Sequence, residues 1–122
     1  MHIVSRLYAL IGWAIVALGS LHMLTTIRLL ASSPTFRVWF FGSGIAMALV
    51  GALNLLHRAY GPAAPGLRIV CRIANVFLTL FAAVAGALTG ASLVEYLVIL
   101  GLLGAASILS FVPVSRKSPD AE

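Results

Sequence analysis

Residues 59–66 read AYGPAAPG, and this short segment separates two long apolar runs. Its two prolines and two glycines are typical of a turn, because proline cannot continue a helix and glycine relaxes the backbone. The run before it covers residues 38–56 and the run after it covers residues 67–88. Since a membrane-spanning helix needs about 20 apolar residues, the pattern predicts two antiparallel spans joined by one polar loop.

Two further apolar runs lie outward from this pair. A run at residues 7–30 ends at a polar break that contains Pro34, and a run at residues 93–112 follows the turn TGAS at residues 89–92. Four spans with short connections predict an all-α, up-down-up-down transmembrane four-helix bundle, organised as a single domain. Residues 113–122 are expected to form a flexible tail.

The first run occupies the place where a secretory signal peptide would lie. Ala31 and Ser33 form a small-x-small pattern of the kind that signal peptidases cleave. However, the apolar core is much longer than the 7 to 15 residues typical of signal peptides. We therefore expect a retained signal anchor.

The composition restricts the class of protein. Of the 122 residues, 61% are hydrophobic and 9% are charged, whereas a soluble domain has roughly a quarter charged residues. The lipid bilayer is therefore the expected partner of most of the surface. The formal net charge of +5 comes from basic residues at the span ends and not from one basic face, so no nucleic-acid partner is expected.

The distribution of basic residues predicts the orientation. An even number of spans puts both termini on one side of the membrane, and that side carries Arg6, Arg58, Arg68, Arg72, Arg116 and Lys117. The opposite side carries Arg28 and Arg37. Because cytoplasmic loops are enriched in Lys and Arg, we expect an inner-membrane protein with both termini in the cytoplasm.

Small residues recur at regular spacing on every span, and such residues let helix backbones approach closely in lipid. They are Ser5, Gly12, Gly19 and Thr26 in the first span, Gly44, Ala48 and Ala52 in the second, Ala82, Gly86 and Gly90 in the third, and Gly101 and Ala105 in the fourth. We expect these faces to hold the bundle together. Alternatively, one of these faces packs against a second copy of the chain in a homodimer or against a partner subunit.

Two asparagines lie at similar distances from the central loop. Asn54 precedes the loop and Asn75 follows it, so both are expected at similar depth on neighbouring helices. A buried amide is costly unless it finds a partner. The two amides are therefore expected to bond to each other, and the alternative is a polar pocket with His57 that opens to the cytoplasm.

Glu95 is the acidic residue within a span, and carboxylates in membranes often mark functional sites. The sequence SLVE at residues 92–95 has the form of a capping box, with Ser92 as the N-cap. We expect Glu95 to cap the fourth helix and to pair with Arg28 or Arg37. A proton or cation site is the alternative.

His22 has no evident structural task. It lies six residues before Arg28, about 9 Å along a helix axis, and Ser43 or Glu95 could meet it at that depth. We expect a hydrogen-bonded structural histidine, with a binding role as the alternative. His57 lies near the other end of the bundle, so the two histidines cannot share a haem.

No arrangement of residues predicts catalysis. The sequence shows no nucleophile with a base, no paired carboxylates and no metal-ligand spacing, so we expect no enzyme activity, no cofactor, no metal and no identifiable soluble substrate. Cys71 is the only cysteine, which excludes an internal disulfide and a CxxC site. We expect its side chain to be reduced and to act as a small apolar filler.

Two functions are compatible with these observations. The first is a small membrane protein that acts through helix association, with itself or as an accessory subunit. The second is a small-molecule or ion transporter with a polar site near His22 and Glu95. Small multidrug-resistance transporters have similar length and four spans, but they carry a carboxylate in their first span, where this chain has none.

The first half of the chain resembles a known class of sequences. The motif GSLHML at residues 19–24, followed by WFFGSGIAMALVGALNLL at residues 39–56, looks like a class of uncharacterised bacterial four-span membrane proteins. The resemblance implies a bacterial inner-membrane protein, and it implies no activity.

Overall fold

The computed structural model describes residues 2–113, and all four long elements in this part of the chain are α-helices. They are α1 (His2–Thr26), α2 (Pro34–Tyr60), α3 (Pro65–Thr89) and α4 (Leu93–Phe111), with a short 3-10 turn (Gly61–Ala63) between α2 and α3. Each of the four is long and apolar enough to cross a membrane. The predicted all-α four-helix bundle is confirmed.

Two boundaries differ from the prediction because of local capping. The helix α1 ends at Thr26, short of residue 30, and α2 begins at Pro34, ahead of residue 38. Proline is favourable in the first helical turn, where its missing N–H is not needed. The Ser33 hydroxyl accepts a hydrogen bond from the Phe36 N–H at 3.3 Å, so the break predicted at Pro34 is the start of a helix.

The expected tail lies largely outside the description. Of residues 113–122, the structure describes Pro113 alone. Arg116 and Lys117, which the predicted orientation used, therefore lie outside the described residues. We call the end of the bundle that holds His2 and Phe111 the terminal end. The opposite end, which holds the turn between α3 and α4, is the distal end.

Helices α1 and α2 pack backbone against backbone. A Cβ atom added to Gly19 would lie 2.6 Å from both the Ala48 nitrogen and the Gly44 oxygen. A Cβ atom added to Gly51 would lie 2.8 Å from the Val16 nitrogen. The predicted small-residue faces of the first two spans are therefore used inside the bundle.

The small-residue faces of α3 and α4 differ from each other. In α3, a Cβ atom added to Gly86 would overlap the ring of Tyr96, so α4 covers this glycine. In α4, Gly101 and Gly104 have no neighbouring atom within 4 Å of an added Cβ. Gly101 and Gly104 of α4 therefore make no close contact within the described part of the chain.

All four helices contribute to one apolar layer in the middle of the bundle. Its buried side chains are Ile15, Met47, Leu78, Leu103 and Ala106. Because lipid is as apolar as these side chains, the layer stabilises the bundle through close packing and not through exclusion of water. It separates the terminal end from the distal end.

Arginine side chains connect helices at the terminal end. The Arg58 Nε donates to the Ser5 carbonyl oxygen at 2.9 Å, which joins α2 to α1. The Arg72 Nε donates to the Ser110 carbonyl oxygen at 3.0 Å, and its guanidinium lies 4.8 Å from the centre of the Phe111 ring. The Ser110 carbonyl oxygen lies in the last turn of α4, where no intrahelical partner is available, so Arg72 also satisfies this helix end.

Candidate functional site

Asn54 and Asn75 face each other across α2 and α3. The Asn54 Nδ2 donates to the Asn75 Oδ1 at 2.8 Å, and the Asn75 Nδ2 donates to the Asn54 Oδ1 at 2.9 Å. The Asn54 Nδ2 also donates to the Val50 carbonyl oxygen at 2.8 Å. Both asparagines are almost completely buried. The structure therefore brings together the two amides that the sequence placed at similar depth.

Tyr8 extends this pair to a third helix. Its hydroxyl donates to the Asn54 Oδ1 at 2.6 Å and lies 2.9 Å from the His57 Nδ1. The Tyr8 hydroxyl has one proton, and it donates that proton to Asn54. We therefore assign a proton to the His57 Nδ1, which donates to the Tyr8 oxygen. His57 thus joins the asparagine pair through Tyr8.

Cys71 belongs to the same cluster, and its expected role as an apolar filler is wrong. Its Sγ lies 3.6 Å from the Asn54 Oδ1 and 3.5 Å from the Asn75 Nδ2. A thiol is both a weak donor and a weak acceptor, so it can serve two amides at once. We call Tyr8, Asn54, His57, Cys71 and Asn75 the polar network.

The polar network is closed on itself. Its side chains are between 0% and 4% exposed, and their donors and acceptors are used mainly on one another. A buried network with its partners satisfied orders the helices that contribute to it. The arrangement favours the interhelical hydrogen bond over a pocket that opens at the terminal end.

Sequence reasoning missed Tyr8, although a signal was present. Tyr8, Ile15 and His22 are spaced by seven residues and so share one face of α1. Ile15 is completely buried and Tyr8 nearly so. A polar side chain seven residues from a buried position is therefore a candidate for a buried hydrogen bond.

A second site lies at the distal end, where α2 and α3 leave a cavity of about 300 Å³. His22 from α1 and Glu95 from α4 both line it. The walls are largely aromatic and consist of Phe36, Trp39, Phe40, Phe81 and Tyr96. Met47 and Leu78 of the apolar layer also line the cavity.

His22 stacks on Phe40 instead of forming the hydrogen bond that we expected. The two ring centroids are 4.0 Å apart and the interplanar angle is 16°. Ser43, one expected partner, donates its hydroxyl to the Phe40 carbonyl oxygen at 2.7 Å. Within residues 2–113 the imidazole nitrogens make no hydrogen bond, and the ring packs on Phe40 instead.

Glu95 forms the capping box that the sequence predicted. The Ser92 Oγ accepts from the Glu95 N–H at 3.3 Å, and the Glu95 Oε2 accepts from the Ser92 N–H at 3.2 Å and from its hydroxyl at 2.7 Å. The expected ion pair with Arg28 or Arg37 is not formed in the described residues, where the carboxylate bonds to Ser92. The second carboxylate oxygen, Oε1, makes no hydrogen bond there.

Tyr96 shapes the cavity wall next to Glu95. Its hydroxyl donates to the Ala83 carbonyl oxygen at 3.0 Å, and its ring covers Gly86. The absence of a side chain at Gly86 is what lets the ring lie flat against α3. Across residues 2–113, no three His, Cys, Asp or Glu side chains cluster closely enough to hold a metal ion.

No protein-family model, curated protein or solved structure matches the chain. The class of protein therefore follows from the fold alone. Four long apolar helices indicate a multi-pass membrane protein, organised as a helical bundle. It carries a satisfied polar network at one end and an aromatic cavity with two unpaired polar groups at the other.

Proposed function

We propose that this membrane protein binds a small molecule in the distal cavity and acts as a transporter or carrier, without catalysis. The observation that carries the proposal is that the His22 imidazole and the Glu95 carboxylate both line one cavity and keep unpaired atoms. Small-molecule sites are typically apolar, with a few polar groups that fix the orientation of the ligand. The cavity of about 300 Å³ has the volume of a small site of this kind.

The position of the apolar layer supports a carrier. The cavity ends at Met47 and Leu78, and the polar network lies beyond them toward the terminal end. A bound molecule is therefore separated from the terminal end by the apolar layer. It crosses the membrane only if the apolar layer and the polar network separate, which is the kind of two-state packing change that carriers use.

Filling the cavity is expected to reduce binding. The replacement Ala85→Leu adds three carbon atoms to a side chain that lines the cavity, so a bound aromatic molecule would lose room. We expect the protein in lipid nanodiscs to bind a naphthalene-sized probe (2-naphthylmethylamine, 2-naphthylmethanol or 2-naphthoate), and the variant to bind it at least about tenfold more weakly. Equilibrium dialysis measures the affinity, with empty nanodiscs correcting for partition into lipid.

Ala87→Leu is the matched control, because Ala87 lies on the exposed face of the same helix. Its affinity for the probe should equal that of the unchanged protein. If none of the three probes binds, or if both variants bind equally well, the proposed function is wrong.

We also propose that the protein lies in the inner membrane of a bacterium with both termini in the cytoplasm. Support comes from the excess of arginine at the terminal end, at Arg6, Arg58, Arg68 and Arg72, over the distal end, at Arg28 and Arg37. A fluorescent protein fused to the C-terminus should be fluorescent, and alkaline phosphatase inserted at Gly90 should be active. The reverse pattern would refute the orientation.

Helix association is a second candidate function. It is favoured by Gly101 and Gly104 of α4, which have open space around them, whereas four glycines of α1 and α2 are used inside the bundle: Gly12, Gly19, Gly44 and Gly51. The partner would be a second copy of the chain or another membrane subunit. Crosslinking in native membranes should then give a discrete dimer or one defined partner, and a purely monomeric result would exclude it.

A further inference from the structure

We infer that the distal cavity selects a protonated amine that carries an aromatic or alkyl body. The inference rests on the proposed function, since it names the chemical class of the molecule that binds there. Three features of the cavity support it: its charge, its free hydrogen-bond acceptors and its aromatic walls.

The charge of the cavity is set by Glu95. It is the only acidic residue within residues 2–113, and its carboxylate bonds there to Ser92 and not to an arginine. The positive end of the α4 dipole amounts to about half an elementary charge. A full carboxylate charge at the same helix end therefore leaves the site attractive to cations and repulsive to anions.

The free acceptors match a group with several N–H donors. The capping hydrogen bonds use the Glu95 Oε2, which leaves Oε1 available to a ligand. A neutral His22 imidazole, which also lines the cavity, offers one further lone pair. A primary or secondary ammonium can donate to both acceptors, whereas a quaternary ammonium has no N–H to donate.

The aromatic walls suit both parts of such a molecule. Rings from α2 (Phe36, Trp39, Phe40), α3 (Phe81) and α4 (Tyr96) line the cavity, and the negative faces of aromatic rings attract cations. The same rings provide apolar surface for the body of the ligand. An anion would meet the carboxylate, and a neutral molecule would leave the Glu95 charge without a partner.

The test compares three probes with the same aromatic body. The protein in nanodiscs of neutral lipid is titrated at pH 7 with 2-naphthylmethylamine, 2-naphthylmethanol and 2-naphthoate, and empty nanodiscs correct for partition. We expect the amine to bind at least about tenfold more tightly than the alcohol, because hydrogen bonds to charged groups are the stronger ones. The carboxylate should bind most weakly.

The variant Glu95→Gln separates charge from structure. Glutamine can also accept the Ser92 N–H bond of a capping box, so the helix end is retained while the charge is removed. The preference for the amine over the alcohol should fall to less than about twofold. Ser92→Ala is the matched control, because it weakens the cap and keeps the carboxylate, and it should retain the preference for the amine.

The outcomes distinguish this inference from the function on which it rests. If no probe binds, the proposed function fails. If the alcohol or the carboxylate binds as tightly as the amine, or if Glu95→Gln keeps the preference for the amine, the cavity binds small molecules but the inference is wrong. N,N,N-trimethyl-2-naphthylmethylammonium should bind less tightly than the primary amine, and equal affinity would overturn the role assigned to the N–H donors.

Discussion

Gly19→Ala is expected to lower the stability of the bundle by about 1–3 kcal/mol, the usual cost of overpacking a close contact. The added Cβ would lie 2.6 Å from the Ala48 nitrogen and from the Gly44 oxygen. Both are backbone atoms, so neither can move away as the end of a flexible side chain could. The helices α1 and α2 would have to separate. Reversible unfolding in mixed detergent measures the change in the free energy of unfolding.

Gly42→Ala provides the control for this substitution. Gly42 lies in α2 and has no atom within 4 Å of an added Cβ, so the same methyl group meets no neighbour. Alanine is the better helix former, and the control should be as stable as the unchanged protein or more so. Equal losses for Gly19→Ala and Gly42→Ala would show that the close approach of α1 and α2 is not formed.

The second large effect is expected for Asn54→Ala. This side chain bonds to Tyr8, to Asn75 and to the Val50 carbonyl oxygen. Its removal leaves both the Tyr8 hydroxyl and the Asn75 amide without their main partner. Since an orphaned buried polar group costs about 1–3 kcal/mol, we expect a loss of about 2–4 kcal/mol, which the same unfolding measurement would report.

Thr25→Ala is the matched control for the loss of a polar group. The Thr25 hydroxyl donates to the Leu21 carbonyl oxygen of its own helix at 2.8 Å, so its removal leaves no other helix without a partner. The change should stay within about 0.5 kcal/mol. Asn75→Ala should cost less when added to Asn54→Ala than it costs alone, because Asn54→Ala has already removed the bonds between the two amides and neighbours in one network are not additive. Additive losses would contradict the reciprocal amide pair.

The fold could be predicted because it depends on length and polarity. A run of about 20 apolar residues between turn residues specifies a span almost by itself, and short connections require antiparallel neighbours. The helix ends were harder to predict because they depend on single side chains. At Pro34 the same residue can stop one helix or begin the next, and the Ser33 cap decides between them.

The candidate sites were predictable in part. Asn54 and Asn75 could be paired from their distances to one loop, because a helical hairpin preserves depth. Tyr8 was missed because aromatic residues are common at span ends, so a tyrosine there is taken as interfacial unless its spacing from a buried position is considered. The cavity between His22 and Glu95 depends on how far α2 and α3 stand apart, and side-chain shapes on both helices determine that distance.

The tight contact between α1 and α2 also bears on how the chain assembles during synthesis. Proteins emerge from the ribosome N-terminus first, so α1 and α2 emerge before α3 and α4. Their glycines already match each other, and the pair can close without waiting for later segments. Helices α3 and α4 then pack onto the pair formed by α1 and α2. The Asn54 amide gains its hydrogen bond to Asn75 only at that step.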